Sequence, residues 1–133
     1  MVNASSEEGR LAVNGMSYHS RAGENANSAI IVTVTPKDYG SDHPLAGMEF
    51  QRNLEEKAFH LAQGKIPVQR YEDFCKNRAT DSFGTVHPSM KGSYAPANVR
   101  EILPEIVAAS IEEGIRCFDQ KLQGFADPDA LLS

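Results

Sequence analysis

The chain has 133 residues, of which 41% are hydrophobic and 23% are charged, with a formal net charge of −5. This length suits one domain with a real core, and the composition is not that of a disordered chain. The acidic balance argues against non-specific nucleic-acid binding, which needs a basic surface. No apolar run reaches the roughly 18 to 20 residues of a membrane span, and the N-terminal stretch "MVNASSEEGR" shows no secretory signal.

The first third of the chain is predicted to contain two strands separated by a polar loop. "RLAV" (10–13) is a short strand candidate that should stop at Asn14-Gly15, a pair typical of turns. "SAIIVTVT" (28–35) is rich in β-branched residues and ends at Pro36, which predicts a strand. Because its start is apolar on both faces, we expect this strand to be central in a sheet.

The middle of the chain is predicted to contain one long and one short helix. Residues 45–64 form the long helix, and Gly64 fits its C-terminal stop. Its apolar stripe at helical spacing is Phe50, Leu54, Ala58 and Leu61. A short extended piece (66–70) precedes the short helix (71–78).

The last third begins with a long irregular stretch, 79–97, of a length that usually marks a functional or packed loop. The longest helix is predicted within 98–125, with Asn98 as its cap and Pro104 in the first turn or at the true start. Its predicted apolar face is Ile102, Ile106, Ile111, Ile115, Phe118 and Leu122. Glu112 and Arg116 form a favourable i,i+4 pair.

Both ends of the chain are predicted to be flexible boundary segments, 1–9 and 126–133. The second contains Leu131 and Leu132 with no evident structure to pack them. Between these ends, the pattern predicts a single α+β domain in which two main helices pack on a small β-sheet that contains 28–35.

The common catalytic motifs are absent from the sequence. The 10 glycines form neither G-x-G-x-x-G nor a P-loop, and no G-x-S-x-G elbow occurs. The four histidines are scattered without metal-ligand spacing, so we expect no metal site. Cys75 and Cys117 are expected to be reduced, mostly buried thiols of a cytoplasmic protein. We predict no catalytic residue within this chain.

Two loops remain, 14–27 and 79–97. In the first, the Asn and Ser side chains are of the kind that satisfy backbone groups within loops. Arg21 could bind an anion, although a lone loop arginine usually contacts water. On residue types alone, both interpretations stay open.

A resemblance to a known family bears on this choice. "NGMSYHSRAGENANSAIIVTVTPKDYG", "HPLAGMEFQRNLEEKAF" and "GFADPDALLS" resemble bacterial FAD-dependent proteins described as flavin- and NAD-utilising dehydrogenases. The resemblance runs over nearly the whole chain. In that family a glycine-rich FAD domain and a Cys-Pro-Gly-Gly motif precede this segment, and a Thr-Ser-Ser-Pro motif follows it. The resemblance therefore implies that residues 1–133 are one domain inserted in the flavin domain of a larger protein.

The resemblance also implies roles for the first loop. It places Asn14, Gly15, Met16 and Ser17 near the flavin of the parent protein, and Arg21, Asn25 and Asn27 near the substrate. The expected partners are the FAD-binding domain of the same polypeptide and a small-molecule substrate, without nucleic acid or membrane. FAD is expected in the parent protein only.

Two functions from different classes follow. The first is the substrate or cap domain of an FAD-dependent oxidoreductase, which is not competent as an enzyme alone. The second is a stand-alone module that binds a ligand or a protein through the 79–97 loop. A reading frame much longer than this chain would exclude the second.

Overall fold

The computed structural model describes residues 1–4 and 7–133, so Ser5 and Ser6 of the predicted flexible segment 1–9 lie outside the described residues. The strands in the described part are β1 (Val2–Ala4), β2 (Val13–Gly15), β3 (Ile66–Arg70), β4 (Met90–Lys91), β5 (Tyr94–Pro96) and β6 (Leu131–Leu132). The helices are α1 (Pro36–Tyr39), α2 (Ala46–Leu61), α3 (Tyr71–Cys75) and α4 (Glu105–Asp119), with a 3₁₀ helix at Val99–Ile102. This arrangement confirms the predicted α+β class, although the strands form two three-stranded sheets.

β1 is the central strand of the first sheet. It pairs antiparallel with β2, where Asn3 lies opposite Asn14, and parallel with β4, where Asn3 lies opposite Lys91. The Val2 N–H also donates to the Ser89 carbonyl at 2.8 Å. The first sheet therefore holds the 14–27 loop beside the 79–97 stretch, two segments that are far apart in sequence.

β3 is the central strand of the second sheet, between parallel β5 and antiparallel β6. Its side chains are almost completely buried, with Ile66 at 1%, Val68 at 0% and Gln69 at 0% exposure. A strand that is buried on both faces has a continuous run of apolar residues, and β3 begins with such a run, "IPV". The burial of Gln69 then requires hydrogen-bond partners, which the structure supplies.

The main core lies where α2 meets the 3₁₀ helix. Leu11, Ala58, Val99 and Ile102 form a buried cluster, and Leu54, Phe59 and Leu61 pack against it. The predicted stripe on α2 is thus confirmed for its central positions. The helix ends at Leu61, before the predicted end at residue 64, and Gly64 follows it with a φ of +79° and donates its N–H to the Phe59 carbonyl at 2.8 Å.

The predicted strand at 28–35 is wrong for this chain. The segment has no regular secondary structure, and Ile31 is 85% exposed. The β-branched residues favour an extended backbone, but a strand exists only where a second strand accepts its hydrogen bonds. None of the six described strands pairs with this segment.

The predicted helix within 98–125 is shorter than expected. Asn98 precedes the 3₁₀ helix rather than α4, and Pro104 marks the true start of α4. α4 has 15 residues against 16 in α2, so it is not the longest helix. Its predicted apolar face is only partly buried, because Ile115 is enclosed while Ile106 and Phe118 are exposed.

Two predictions at the chain's turns and ends are also wrong. Asn14-Gly15 is not a turn, because both residues belong to β2. Leu131 and Leu132 do have a partner, since they pair with Arg70 and Gln69 of β3. The flexibility of the two end segments stays a prediction.

Candidate functional site

The 14–27 loop is closed by one side chain. The Asn27 Nδ2 donates to the Met16 carbonyl at 2.9 Å, and the Met16 N–H donates to the Met1 carbonyl at 2.8 Å. A Cβ on Gly15 would lie 2.4 Å from Asn27 Oδ1, so this closure requires glycine there. The polar residues of the loop thus hold its own backbone, as loop Asn side chains often do.

A second loop is joined to the first by two contacts. The Asn25 Nδ2 donates to the His87 carbonyl at 2.7 Å, and the His87 Nδ1 lies 3.4 Å from Glu24 Oε1. Both predicted functional loops therefore meet on one side of the first sheet. Sequence reasoning singled out each loop but gave no reason to expect their contact.

The joined loops enclose an open concavity of about 500 Å³. Six of the residues predicted to form the site line this concavity: Gly15, Met16, Ser17, Arg21, Asn25 and Asn27. Met1, Tyr18 and Ser89 line it as well. This volume lies within the range of about 300–1,000 Å³ typical of small-ligand pockets. Asn14 does not line the concavity, because it sits within β2 opposite Asn3.

Arg21 is the cation of this concavity. It has a φ of +51°, in the left-handed region, and its N–H donates to the Tyr18 carbonyl at 2.9 Å. In the described part of the chain, its guanidinium group forms no hydrogen bond or ion pair, and the residue is exposed. A guanidinium fork that is free of protein partners can bind a carboxylate or a phosphate.

A larger hollow of about 700 Å³ lies between α2 and the 3₁₀ helix. Its lining includes Glu56, Lys57 and Glu101, and Glu56 already contacts Arg10. These charged residues lie on the outer faces of two helices, where contact with water accounts for their presence. The smaller concavity is the better candidate because its lining residues converge from loops, where binding residues are most often found.

Comparison with known proteins decides the family. Residues 1–133 match the family model described as FAD-dependent protein, C-terminal domain-like. This chain belongs to that family. An uncharacterized protein of Clostridium beijerinckii (strain ATCC 51743 / NCIMB 8052) is 49% identical over 135 residues, covering 100% of this chain and 25% of that protein. The chain thus spans about a quarter of this relative's length.

The sequence of this chain carries no motif that would hold a whole FAD molecule. The chain has no glycine-rich fingerprint to hold a pyrophosphate. The concavity instead offers one cation, amides and backbone groups at an open rim. Such groups suit the edge of a ring or an anionic substrate that a second domain presents.

A buried polar network that the sequence did not suggest lies behind β3. The Gln69 Nε2 donates to Asn98 Oδ1 at 2.7 Å, and Gln69 Oε1 accepts from the Arg100 N–H at 3.0 Å. Arg100 is 8% exposed and donates to Glu105 at 2.5 Å and Glu112 at 2.9 Å. These partners belong to separate elements, so no local pattern indicates them.

The two cysteines and the possible metal ligands in the described part of the chain do not form a site. Cys75 is half-buried and Cys117 is exposed, which corrects the expectation that both thiols are mostly buried. Among the described residues, no group of three or more His, Cys, Asp or Glu side chains could hold a metal ion. No helix in the described ranges is long and apolar enough to span a bilayer.

Proposed function

We propose that this domain is the substrate or cap domain of a FAD-dependent oxidoreductase of the dehydrogenase type and is not catalytic alone. The match of residues 1–133 to a FAD-dependent family carries the proposal. In this arrangement the whole of 1–133 is a single inserted domain. Its partner is the FAD-binding part of the same polypeptide, in the cytoplasm of a bacterium.

The geometry of the two joined loops supports a position over the flavin. Gly15, Met16 and Ser17 are among the residues that line the concavity. Bound FAD would supply the hydride-transfer chemistry in the parent protein. The loop would orient the ring and exclude water, which are the tasks that a covering domain performs in such enzymes.

Arg21 would act as the anchor for an anionic part of the substrate. Its guanidinium group lines the concavity without a protein partner, whereas Asn25 and Asn27 have their amide nitrogens engaged. The two asparagines therefore hold the loop that positions Arg21. Any contact from them to substrate would use their remaining carbonyl oxygens.

The alternative of a stand-alone binding module receives no support from the relative. In the Clostridium beijerinckii protein the matching segment occupies 25% of the length. A domain that recurs inside a longer chain is better explained by a function shared with the rest of that chain.

The test is the visible absorbance spectrum of the full-length parent protein. We expect flavin bands in the purified protein, and we expect the flavin to be lost or its bands shifted when residues 16–26 are replaced by a Gly/Ser linker. A matched control replaces Arg52 and Asn53, exposed on α2, with alanine. A parent protein that binds no flavin would refute the oxidoreductase proposal. Unchanged bands and flavin affinity in the linker variant would place the loop away from the cofactor.

A further inference from the structure

The segment 28–34 is unusual because its backbone has no partner. In the described part of the chain, no backbone hydrogen bond joins these residues to any other segment. Neither three-stranded sheet includes them. In surface loops, backbone N–H and C=O groups without a protein partner bond to water. Such loops usually carry polar side chains, whereas this segment is largely apolar.

The side chains of the segment 28–34 are only partly covered. Ile31 is 85% exposed and Val34 is 37% exposed, while Ile30 and Val32 are half-buried. Scattered exposed apolar residues are ordinary, but a contiguous β-branched run marks a surface that another structure covers. The residue pattern therefore favours a buried strand, and the described residues leave Ile31 exposed.

Both ends of the segment are fixed. On one side, the Asn27 side chain donates to the Met16 carbonyl at 2.9 Å. On the other, Thr35 caps α1, and its N–H donates to Asp38 Oδ2 at 2.6 Å. No residue of 28–34 has a positive φ, so the backbone between these anchors is compatible with an extended strand.

We propose that residues 28–34 form a strand of a β-sheet in the remainder of the same polypeptide, namely its FAD-binding part. The inference rests on the proposed function for the identity of this partner. The relative that contains this domain is much longer than the match, so it holds the residues that could form such a sheet. Pairing would satisfy the free N–H and C=O groups of the segment and bury Ile31 at once.

This partner fits the residue pattern better than a second copy of the chain does. Ala29, Ile30, Ile31 and Val32 are apolar on both faces of the strand. Such a strand is stable when it is paired on both edges and covered on both faces, as in the centre of an α/β sheet. Two copies that join by this segment would pair only one edge of each strand and would leave the other edge open.

The placement also connects the strand to the candidate site. Residue 28 follows Asn27 directly, and Asn27 closes the loop that lines the concavity. A strand fixed in the sheet of the FAD-binding part would therefore hold the 14–27 loop against that part. Docking and site formation would be one event.

The test is amide hydrogen exchange of the full-length parent protein, with peptides that cover 28–34 and, for comparison, residues 81–84, which lie outside any helix or strand. We expect the amides of 29–34 to exchange at least about 100-fold more slowly than those of 81–84. Equal exchange rates in the two segments would overturn the proposal. Slow exchange that disappears when a dimer is diluted to monomer would also overturn it, because the partner would then be a second copy.

Two variants at one position test the role of the backbone. Val32→Pro removes an N–H and should raise the exchange rate throughout 29–34, whereas Val32→Thr keeps the N–H and the β-branch and should retain protection. Equal protection in both variants would contradict pairing. If Val32→Pro does not fold, the wild-type exchange rates alone decide.

The flavin spectrum separates this proposal from the proposed function. Protection of 29–34 in a protein without flavin would refute the flavin role and leave the strand pairing intact, with a different partner domain. If the protein binds flavin but the amides of 29–34 exchange rapidly, the strand pairing would be refuted and the flavin role would stand.

Discussion

Gly15 sets the shape of the candidate site because it has no side chain. Asn27 Oδ1 occupies the space where a Cβ would lie, 2.4 Å away, while the Asn27 Nδ2 bonds the Met16 carbonyl. The loop can approach β2 this closely only over a glycine. Arg21 then reaches the concavity from a left-handed backbone, with a φ of +51°.

Gly15→Ala should open the loop. The new methyl group displaces the Asn27 side chain, so the protein loses one hydrogen bond and gains strain, with a cost of about 1–3 kcal/mol. Gly23→Ala is the matched control, because its Cβ would meet nothing closer than 3.9 Å. Urea unfolding and hydrogen exchange of residues 16–27 measure the difference. Equal behaviour of the two variants would contradict this account.

At the scale of elements, Arg100 joins the 3₁₀ helix to its neighbours. It donates to Glu112 on α4 at 2.9 Å and to the Phe74 carbonyl of α3 at 3.2 Å, and its guanidinium lies 5.2 Å from the Phe74 ring centre. The hydrogen bond to Glu105 is the largest of the effects that raise the pKa of Arg100, and the burial of the guanidinium group opposes it. The elements that follow Asn98 are thus positioned by one buried cation.

Arg100→Met should destabilise the fold by about 3–5 kcal/mol, because it leaves the partner carboxylates without their buried cation. Arg116→Met is the control: it removes a second cation from Glu112, 2.5 Å away, but Arg116 is 64% exposed. Loss of such an exposed pair costs about 0–1 kcal/mol. Chemical denaturation of both variants gives the comparison, and similar losses would show that burial of Arg100 is unimportant.

Asp129 fastens the C-terminal tail to the long loop and to β3. Its carboxylate accepts from the Thr85 N–H at 2.7 Å and from Arg70 at 2.6 Å. The Thr85 backbone N–H, then the Thr85 hydroxyl and Arg70, hold the pKa of Asp129 below its ordinary value of 3.8. A carboxyl whose pKa is depressed by folding stabilises the folded state above its unfolded pKa, and the contribution is lost as pH falls through the folded pKa.

Asp129→Asn should therefore lower stability at neutral pH, and the gap from wild type should close as the pH falls below about 3.8. The urea midpoint measured against pH checks this. Asp42→Asn, at an exposed position without a described partner, should leave the midpoint unchanged. A gap that is constant with pH would show that the Asp129 carboxylate charge does not matter.

At the scale of the whole molecule, the fold leaves one strand-like segment uncovered. Among the described residues, Ile31 is the most exposed large apolar residue, and no backbone hydrogen bond to another described segment involves residues 28–34. A free apolar strand is a template for association with other chains. The isolated 133-residue chain should accordingly be prone to aggregation.

Ile31→Lys should raise the soluble fraction of the isolated chain, since a charge on a free strand blocks edge-to-edge pairing. Ile106→Lys is the control, because Ile106 is 67% exposed but lies in α4, whose backbone is paired internally. Soluble fractions after centrifugation, at matched concentrations, compare the two. Equal gains would mean that exposed apolar area, not the free strand, drives association.

Elements with local determinants were predictable from the sequence. The end of α2 before Gly64 and the start of α4 after Pro104 depend on the conformational limits of glycine and proline, which act on nearby residues. The Glu112–Arg116 pair follows from helical spacing. The strand prediction at 28–35 failed because a strand needs a partner, and local residues do not reveal whether the chain supplies one.

The sequence by itself determined the α+β class, the presence of α2 and the start of α4 after Pro104, because spacing and turn residues act over a few positions. Only the tertiary structure decided that the 14–27 loop meets His87, that Leu131 and Leu132 pair with β3, and that Gln69, Asn98 and Arg100 share a buried network. Each of these contacts joins residues far apart along the chain. Hydrogen-bond partners at such separations are chosen by the packing of the sheets, which no local pattern records.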